Sequence, residues 1–269
     1  MRELLFVARR GGATFSAGVG RVFWGVAESR HLVNIINQPD YRFASDGLSA
    51  LGQPMLSAAT DWRGARWQAW VLPCYRPQAL PGGDARWIGM RCARRDVALR
   101  ADWSRGPADV GLAYFNGHAR DPVTAHGVAQ YPVLRRWSLD AQLTLGSYLW
   151  KLEALREASA LHRRHASVAG VEYTVAQLAS TFDIAMLYEN LRESDCPPLT
   201  CANVVGLRIG ANDSAGSALL LTRSSAAGTH AASYLVRAER RLSHQVSVKL
   251  EAQKSARGRE LRVMARYGF

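Results

Sequence analysis

The chain has 269 residues, of which 48% are hydrophobic and 21% charged, and its formal net charge is +12. This composition excludes a disordered polyelectrolyte, and the absence of any apolar run of about 18 residues excludes transmembrane helices. A membrane-resident chain of this composition would have to cross the bilayer as a β-barrel.

The 34 basic residues are scattered along the sequence and do not form a compact basic patch. They stand singly, often at alternate positions of strand-like segments, with short clusters such as Arg9-Arg10 and Arg135-Arg136. No zinc-knuckle spacing, recognition helix or RNP-like aromatic motif accompanies them. We therefore expect no nucleic-acid partner, and a polyanion-binding soluble β-sheet protein stays open as a less favoured alternative.

The first residues, MRELLFVARRGG, lack the features of a signal peptide. Their apolar run covers only Leu4 to Ala8, and no small-residue cleavage site follows it. The sequence is therefore either that of a cytosolic protein or one that begins downstream of its natural N-terminus. The strand pattern decides between these two interpretations.

Segments of about ten residues that alternate apolar and polar side chains follow one another along the chain. In WSLDAQLTLG, the odd-numbered positions from Trp137 to Leu145 are apolar and the intervening positions are polar or small. Such alternation predicts strands, and the short breaks of Gly, Pro, Asp or Ser between them predict antiparallel hairpins. Comparable segments occupy residues 2–9, 13–23, 54–62, 65–76, 97–103, 108–117, 165–177, 181–194, 202–212, 216–226, 230–241, 246–253 and 261–269.

Residues 25–53 interrupt this pattern with a long loop. Gly25 breaks the strand that ends near Trp24, and the next strand begins at Pro54. Long loops without regular structure are often functional. We interpret this loop as a segment that folds into the lumen and constricts it, with an extracellular lid as the alternative. Its polar residues are the candidate constriction residues: Glu28, Arg30, His31, Asn34, Asn37 and Asp40.

The four cysteines form two local pairs, Cys74 with Cys92 and Cys196 with Cys201, and each pair encloses a proline-containing segment. Their spacing fits disulfides of an oxidising compartment better than a metal site, which would require tighter pairs with further Cys or His ligands. Four free thiols are the alternative. We predict no metal and no other cofactor.

The segment LWKLEALREASALHRRH, residues 149–165, is ambiguous because it consists of strong helix formers. Lys151 and Glu153 nevertheless alternate with Trp150, Leu152 and Ala154, and both neighbouring segments are clear strands. A single helix at this point would interrupt the antiparallel ladder. We therefore predict a strand here as well.

The choice between a soluble and a membrane barrel depends on which face is polar. A soluble barrel buries its apolar face, whereas an outer-membrane barrel turns that face to lipid and lines a wet interior with polar groups. Strand lengths of about ten residues, aromatic residues near strand ends and about fifteen strands favour the membrane barrel, because so wide an interior cannot be a dry core. The sequence thus predicts an all-β fold, an antiparallel up-and-down transmembrane β-barrel of about 14–16 strands, incomplete at its N-terminus, with residues 1–269 as a single domain.

The polar partners of the apolar alternation are the candidate lumen-lining residues: Arg100, Asp102, Lys151, Glu153, Glu172, Arg208, Arg237, Glu239, Lys249, Glu251, Arg262 and Arg266. With Asp140, Glu189 and Arg241, which share this pattern, the two signs of charge nearly balance. We therefore predict only a weak anion preference for the lumen wall. Arg30 and His31 would add selectivity if their loop enters the lumen.

The C-terminal strand ELRVMARYGF carries aromatic or aliphatic residues at every second position up to the last one. Tyr267 and Phe269 at its end resemble the C-terminal signature of Gram-negative outer-membrane β-barrels, which the barrel-insertion machinery recognises. The stretch VFWGVAESRHLVNIINQPDY, residues 22–41, is similar to a pattern of poorly characterised, porin-like proteobacterial barrel proteins. These resemblances imply a location in the bacterial outer membrane. The porin-like proteins also begin with a signal peptide and a further strand, which implies that this chain is truncated at its N-terminus.

The function that these features predict is a pore for passive passage of small solutes. A plugged barrel with a structural or adhesive role is the main alternative. Catalysis is not expected, because neither G-x-S-x-G nor H-E-x-x-H occurs and the apparent loop histidines, such as His118, suit a solvated surface. The sequence leaves the oligomeric state open.

Overall fold

The structure is a computed structural model, which describes residues 3–40, 50–78, 92, 94–120, 122–125, 128–161, 163–178, 181–194, 201–211, 213, 216–226, 232–255 and 258–267. Within these ranges, no helix has the length and apolar character that would let it cross a membrane. All regular elements found there are strands, as the period-two pattern predicts.

Seventeen strands are present in the described residues, and most coincide with the segments expected from alternation. They are β1 (Leu4–Arg10), β2 (Ala13–Gly20), β3 (Gln53–Trp62), β4 (Ala65–Leu72), β5 (Asp96–Arg105), β6 (Ala108–His118), β7 (Val123–Ala125), β8 (Val128–Gln130), β9 (Val133–Leu145), β10 (Tyr148–Ser159), β11 (Arg163–Leu178), β12 (Phe182–Glu193), β13 (Ala202–Ala211), β14 (Ala218–Ala226), β15 (Ala232–Arg241), β16 (Val246–Ser255) and β17 (Gly258–Tyr267).

Fifteen of these strands form one sheet in the order of the sequence, while β7 and β8 form a separate hairpin. The registers that the structure describes, such as those of β1 with β2 and β5 with β6, are antiparallel. This confirms the predicted up-and-down topology and the predicted strand number. Residues 149–165 form strands, as predicted, although they consist of strong helix formers. Most of this segment belongs to β10 and to the start of β11.

The turns between β1 and β2 and between β3 and β4 are tight, and their backbone angles explain why. Gly11 and Gly12 have φ angles of 59° and 80°, and Arg63 and Gly64 have angles of 52° and 74°. Two successive positive φ angles are characteristic of type I′ turns, whose twist matches that of antiparallel strands. These two turns are therefore short, whereas the connection between β2 and β3, residues 21–52, is long.

Burial along the strands is inverted relative to a soluble protein. On β10, Lys151, Glu153 and Glu157 are buried, whereas Trp150 and Leu152 between them are exposed. On β17 the exposed fractions of Leu261 and Val263 reach 73% and 67%. Large apolar side chains in water would be unfavourable by roughly 25 cal/mol per Å², so this exposed face is suited to an apolar solvent.

The chain divides into two compact units. The first comprises Met1–Val26, His31–Ala141 and Glu153–Ala166, and the second comprises Ala27–Arg30, Gln142–Leu152 and Ser167–Phe269. The single domain expected from the sequence stays a prediction.

The predicted disulfide between Cys74 and Cys92 is confirmed. Cys201 is also disulfide-bonded. Its predicted partner, Cys196, lies outside the described residues.

Candidate functional site

Residues 21–40, which include the start of the predicted constriction loop at Gly25, contain no helix or strand, and most of them are buried or half-buried. In the first unit, Trp24, Val33, Ile35 and Ile36 belong to its hydrophobic core. Strand side chains complete this core from the polar face of the sheet: Met55, Trp70, Leu72, Ala98, Ala113, Phe115 and Leu134. The segment therefore lies against the buried face of the strands.

Two predicted constriction residues hold the segment together instead of projecting from it. The Asn37 side chain accepts the Val22 N–H at 2.7 Å and donates to the carbonyls of Gly20 and Leu51 at 2.9 and 2.8 Å. Asn34 accepts the Trp24 N–H at 3.5 Å. Buried amide groups replace the ladder hydrogen bonds that an irregular segment lacks.

Glu153 of β10 fixes the same segment to the sheet. Its carboxylate accepts the N–H groups of Val26 at 2.7 Å and Val33 at 3.1 Å, and the residue is fully buried. Gly25 makes this approach possible, because a Cβ atom at this position would lie 2.6 Å from Glu153 Oε1. The predicted lining residue Glu153 therefore acts as an anchor of the loop.

Two arginines donate to carbonyl groups of the segment. Arg136 of β9 donates to the Leu32 carbonyl at 3.2 Å, and Arg120, just beyond β6, donates to the Ile35 carbonyl. Burial lowers the pKa of Arg120 to about 10, while Asp96 opposes this effect and Arg136 adds to it. Arg120 therefore stays protonated at neutral pH and can hold the Ile35 carbonyl.

The buried face of the first unit also carries ion pairs within one strand, between adjacent strands and, for Arg100 and Asp140, across the intervening strand β6. Arg100 binds Asp140 through two hydrogen bonds of 2.6 and 2.8 Å and binds Asp102 at 2.7 Å. Gly111 leaves room for this arrangement, because a Cβ atom there would lie 2.0 Å from Arg100 Nη2. Arg136 similarly binds Glu157 at 2.8 Å.

In the second unit, Glu189 of β12 anchors the short segment 27–30. Its two oxygens accept the N–H groups of Glu28 and Ser29, each at 2.7 Å, and only 2% of the residue is exposed. Glu189 thus has the same role in this unit as Glu153 has in the first.

Anchored in this way, the Glu28 side chain meets two basic residues of the strands. Its carboxylate lies 2.6 Å from Arg208 and 3.7 Å from Lys151. Glu172 binds the same two residues, Lys151 at 2.9 Å and Arg208 at 3.4 Å. Glu28 and Arg208 keep 34% and 35% of their side chains exposed, so this cluster offers one acidic and one basic group to solvent.

The other predicted constriction residues are found in different surroundings. Arg30 lies 3.5 Å from Glu193 and has 41% of its side chain exposed. The His31 ring packs edge-on against the Phe23 ring, with 4.6 Å between the ring centroids, and Asp40 is buried. The polar residues of the loop thus divide into those that brace it and those, Glu28 and Arg30, that present charge.

The last three strands carry the remaining lining candidates. Arg237 binds the buried Glu251 at 2.9 Å, and Lys249 lies 3.6 Å from the same carboxylate. Glu239 is exposed and pairs in register with Lys249. Arg262 is half-buried and binds Glu260. The side chains of Arg266 and Tyr267 and all of Phe269 lie outside the described residues.

Sequence reasoning missed several residues of these networks. Arg136 and Glu157 lie on the polar face of β9 and β10, so strict period-two counting from Asp140 and Glu153 would have found them. Arg120 could not be found in this way because it follows β6. His118, expected at a solvated surface, ends β6, lies 2.7 Å from Asp96 and stacks on Tyr75 at 4.0 Å.

No protein-family model matches the chain, and no curated protein matches it. Solved structures do match. A triple mutant of the Rhodopseudomonas blastica porin is 11% identical, with 98% of this chain and 88% of the porin covered and a TM-score of 0.54. Pseudomonas aeruginosa OccK8 (OprE) is 10% identical, with coverages of 98% and 78% and a TM-score of 0.60. The chain therefore has the fold of porin-type antiparallel β-barrels.

Proposed function

We propose that this chain is a bacterial outer-membrane β-barrel that forms a pore for passive passage of small solutes. The observation that carries the proposal is the inverted burial, with ion pairs on the buried face and large apolar side chains on the exposed face. Lipid is the solvent that favours such an exposed face, and a wet lumen is the environment that charged groups require. The likeness to a porin fold supports this assignment.

Residues 25–40 of the predicted loop 25–53 supply the constriction in this proposal. In the first unit the backbone N–H groups of Val26 and Val33 are held by Glu153, and in the second unit those of Glu28 and Ser29 are held by Glu189, which supports a constriction of fixed conformation. Solutes would pass Glu28, Arg30 and Arg208, whose side chains remain partly exposed. Because these charges are paired and of both signs, we expect weak selectivity by charge.

The partners that fit this proposal are outer-membrane lipid and small solutes. Insertion would proceed through the barrel-insertion machinery, with Tyr267 and Phe269 at the end of the last strand as its recognition signal. We propose no catalytic step, cofactor or metal for this chain.

A plugged structural or adhesive barrel is the second candidate, and one observation favours it. Trp24, Val33, Ile35 and Ile36 fill space against the buried face of the strands with apolar side chains. An extensive plug of this kind would block ion flow, whereas a constriction would only limit it.

Reconstitution into planar bilayers separates the two candidates. A pore gives a steady open current level, and its absence in correctly folded protein would favour the plugged barrel. In a salt gradient, Glu28→Gln should shift the reversal potential towards anion selectivity and Arg208→Gln towards cation selectivity. Glu3→Gln, which removes an acid that is 42% exposed beside Arg21, is the matched control and should cause a smaller shift.

A further inference from the structure

The exposed face of the first unit contains an apolar groove of about 580 Å³. Its floor is formed by small residues, among them Ala58, Ala69 and Ala101, and larger rings stand around it. The strand registers place these residues on one face, since Ala58 pairs with Ala69 and Trp67 pairs with Ala101. The groove exists because a row of alanines lies between aromatic side chains, whereas the rest of this surface is covered by large side chains.

Three tryptophans border the end of the groove that lies near the short turns. The ring centroids of Trp62 and Trp67 are 6.2 Å apart, and those of Trp67 and Trp103 are 6.0 Å apart. Tryptophan is enriched where the hydrocarbon of a bilayer meets its head groups. This row therefore marks the short-turn end of the groove as the polar boundary of the membrane.

Three arginines lie at the same end, on the exposed face or in the turn itself. Arg10 pairs with Ala13, which lines the groove, and Arg105 follows Trp103 by two positions on β5. The Arg63 guanidinium lies 4.5 Å from the centroid of the Trp62 ring. All three side chains are exposed.

The acidic residues at this end of β1 to β6 belong to the opposite face. Asp61 pairs with Arg66, and Asp109 pairs with Ser104. Each of these acids is next in sequence to a residue of the groove face, so it belongs to the opposite face of the sheet. Outside the bilayer boundary, the charged side chains on the groove side of β1 to β6 are thus arginines, while the exposed acids Asp61 and Asp109 lie on the opposite side. An anionic group is the chemistry that complements it.

The length of the groove agrees with one leaflet of a bilayer. Leu99 at its far end and Arg105 are six positions apart on β5, which is about 20 Å of strand. At a tilt of about 45°, this corresponds to about 14 Å along the membrane normal, close to half of the ~30 Å hydrocarbon core.

We infer that this groove is a binding site for an anionic phospholipid, with one acyl chain on the alanine floor and the phosphate at the short-turn end, where Arg10, Arg63 and Arg105 supply the positive field. The inference rests on the proposed membrane location but not on conduction through the lumen. Such a site differs from the nonspecific contact of any membrane protein with lipid, because it binds a defined number of lipids and prefers negative head groups.

Native mass spectrometry of the delipidated full chain in detergent tests this site. Titration with dioleoyl phosphatidylglycerol should give one tightly bound lipid per chain, at least tenfold tighter than dioleoyl phosphatidylcholine. The variant R10A/R63A/R105A should lose this preference, with at least tenfold weaker binding of phosphatidylglycerol. Ala69→Leu, which fills the floor, should weaken binding of both lipids.

The matched control is R95A/R135A/R156A, which removes three exposed arginines at the other end of the strands. It should bind phosphatidylglycerol like the unmodified chain. Equal affinity for the two lipids, or equal losses in both triple variants, would overturn the inference. So would a chain that forms oligomers in detergent and binds phosphatidylglycerol only after they dissociate, because a second copy would then cover the groove. Binding is measured without ion flow, so a chain that binds the lipid but does not conduct would refute only the proposed pore.

Discussion

The carboxylate of Glu153 joins two separate points of an irregular segment by accepting the N–H groups of Val26 and Val33 at 2.7 and 3.1 Å. Because Glu153 is fully buried, water cannot replace these bonds easily. The conformation of the loop and the position of β10 are therefore linked through one side chain.

Glu153→Gln should loosen the segment. The NH2 group that replaces one carboxylate oxygen is a donor, so it cannot accept the backbone N–H that this oxygen accepts. We expect the free energy of unfolding to fall by about 1–3 kcal/mol. Limited proteolysis should cut residues 21–40 faster, and open-channel current should become noisier. Glu251→Gln is the control, because this acid is equally buried but binds Arg237 and Lys249. Equal loop cleavage in both variants would contradict the anchoring role.

Gly25→Ala tests the same contact from the side of the loop. Gly25 has a φ angle of 125°, and its added Cβ would lie 2.6 Å from Glu153 Oε1. Gly12→Ala is the control, since Gly12 has a φ angle of 80° but open space around it. Both variants should suffer backbone strain of about 1–2 kcal/mol. Only Gly25→Ala should suffer the additional clash, so thermal unfolding in detergent should occur at a lower temperature for this variant.

The strands were predictable because every second side chain in a strand faces the same way. This period identified the segment after Leu149 as a strand despite its helix-forming residues, and it placed Lys151 and Glu153 on one face. The same rule placed Arg100 and Glu251 on the polar face of their strands, and both residues are buried there.

The contacts of the loop were not predictable, because they join residues that are far apart in sequence and have no repeating pattern. Asn37 had the polarity expected of a constriction residue, yet it is buried and braces the backbone. Arg120 lies outside the strands, so no periodicity indicated that it would bind the Ile35 carbonyl. Sequence identifies which residues are polar, whereas packing decides which of them meet solvent.

The ion pair between Arg100 and Asp140 should be worth more than the neighbouring pair with Asp102. Both Arg100 and Asp140 are buried and share two hydrogen bonds, whereas Asp102 is partly exposed and forms one bond to Arg100. Removing one partner of a buried ion pair lowers the free energy of unfolding by about 3–5 kcal/mol. Asp140→Asn should therefore lower the unfolding temperature more than Asp102→Asn. The reverse order would contradict the burial assigned to this pair.

The disulfide between Cys74 and Cys92 should stabilise the fold, since it closes a loop with a sequence separation of 18. Chain entropy predicts a contribution of about 3 kcal/mol. Replacing both residues by serine should lower the unfolding temperature, and dithiothreitol should then have a smaller further effect than on the unmodified chain. Non-reducing mass mapping should also recover Cys196 linked to Cys201. Free thiols at this second pair in exported protein would weaken the assignment to an oxidising compartment.

Arg30 decides whether the loop or the wall sets the selectivity of the proposed pore. Its guanidinium lies 3.5 Å from Glu193, so its positive charge is partly compensated, and the wall is likewise lined by paired charges. We therefore expect reversal potentials in a salt gradient to show a weak anion preference, which Arg30→Glu should convert to a weak cation preference. Arg240→Glu, at an exposed position near the end of β15, makes the same charge change away from the loop and should leave the preference unchanged. Strong cation selectivity of the unmodified chain would refute the charge assignment, whereas strong anion selectivity abolished by Arg30→Glu alone would show that the loop, and not the wall, controls it.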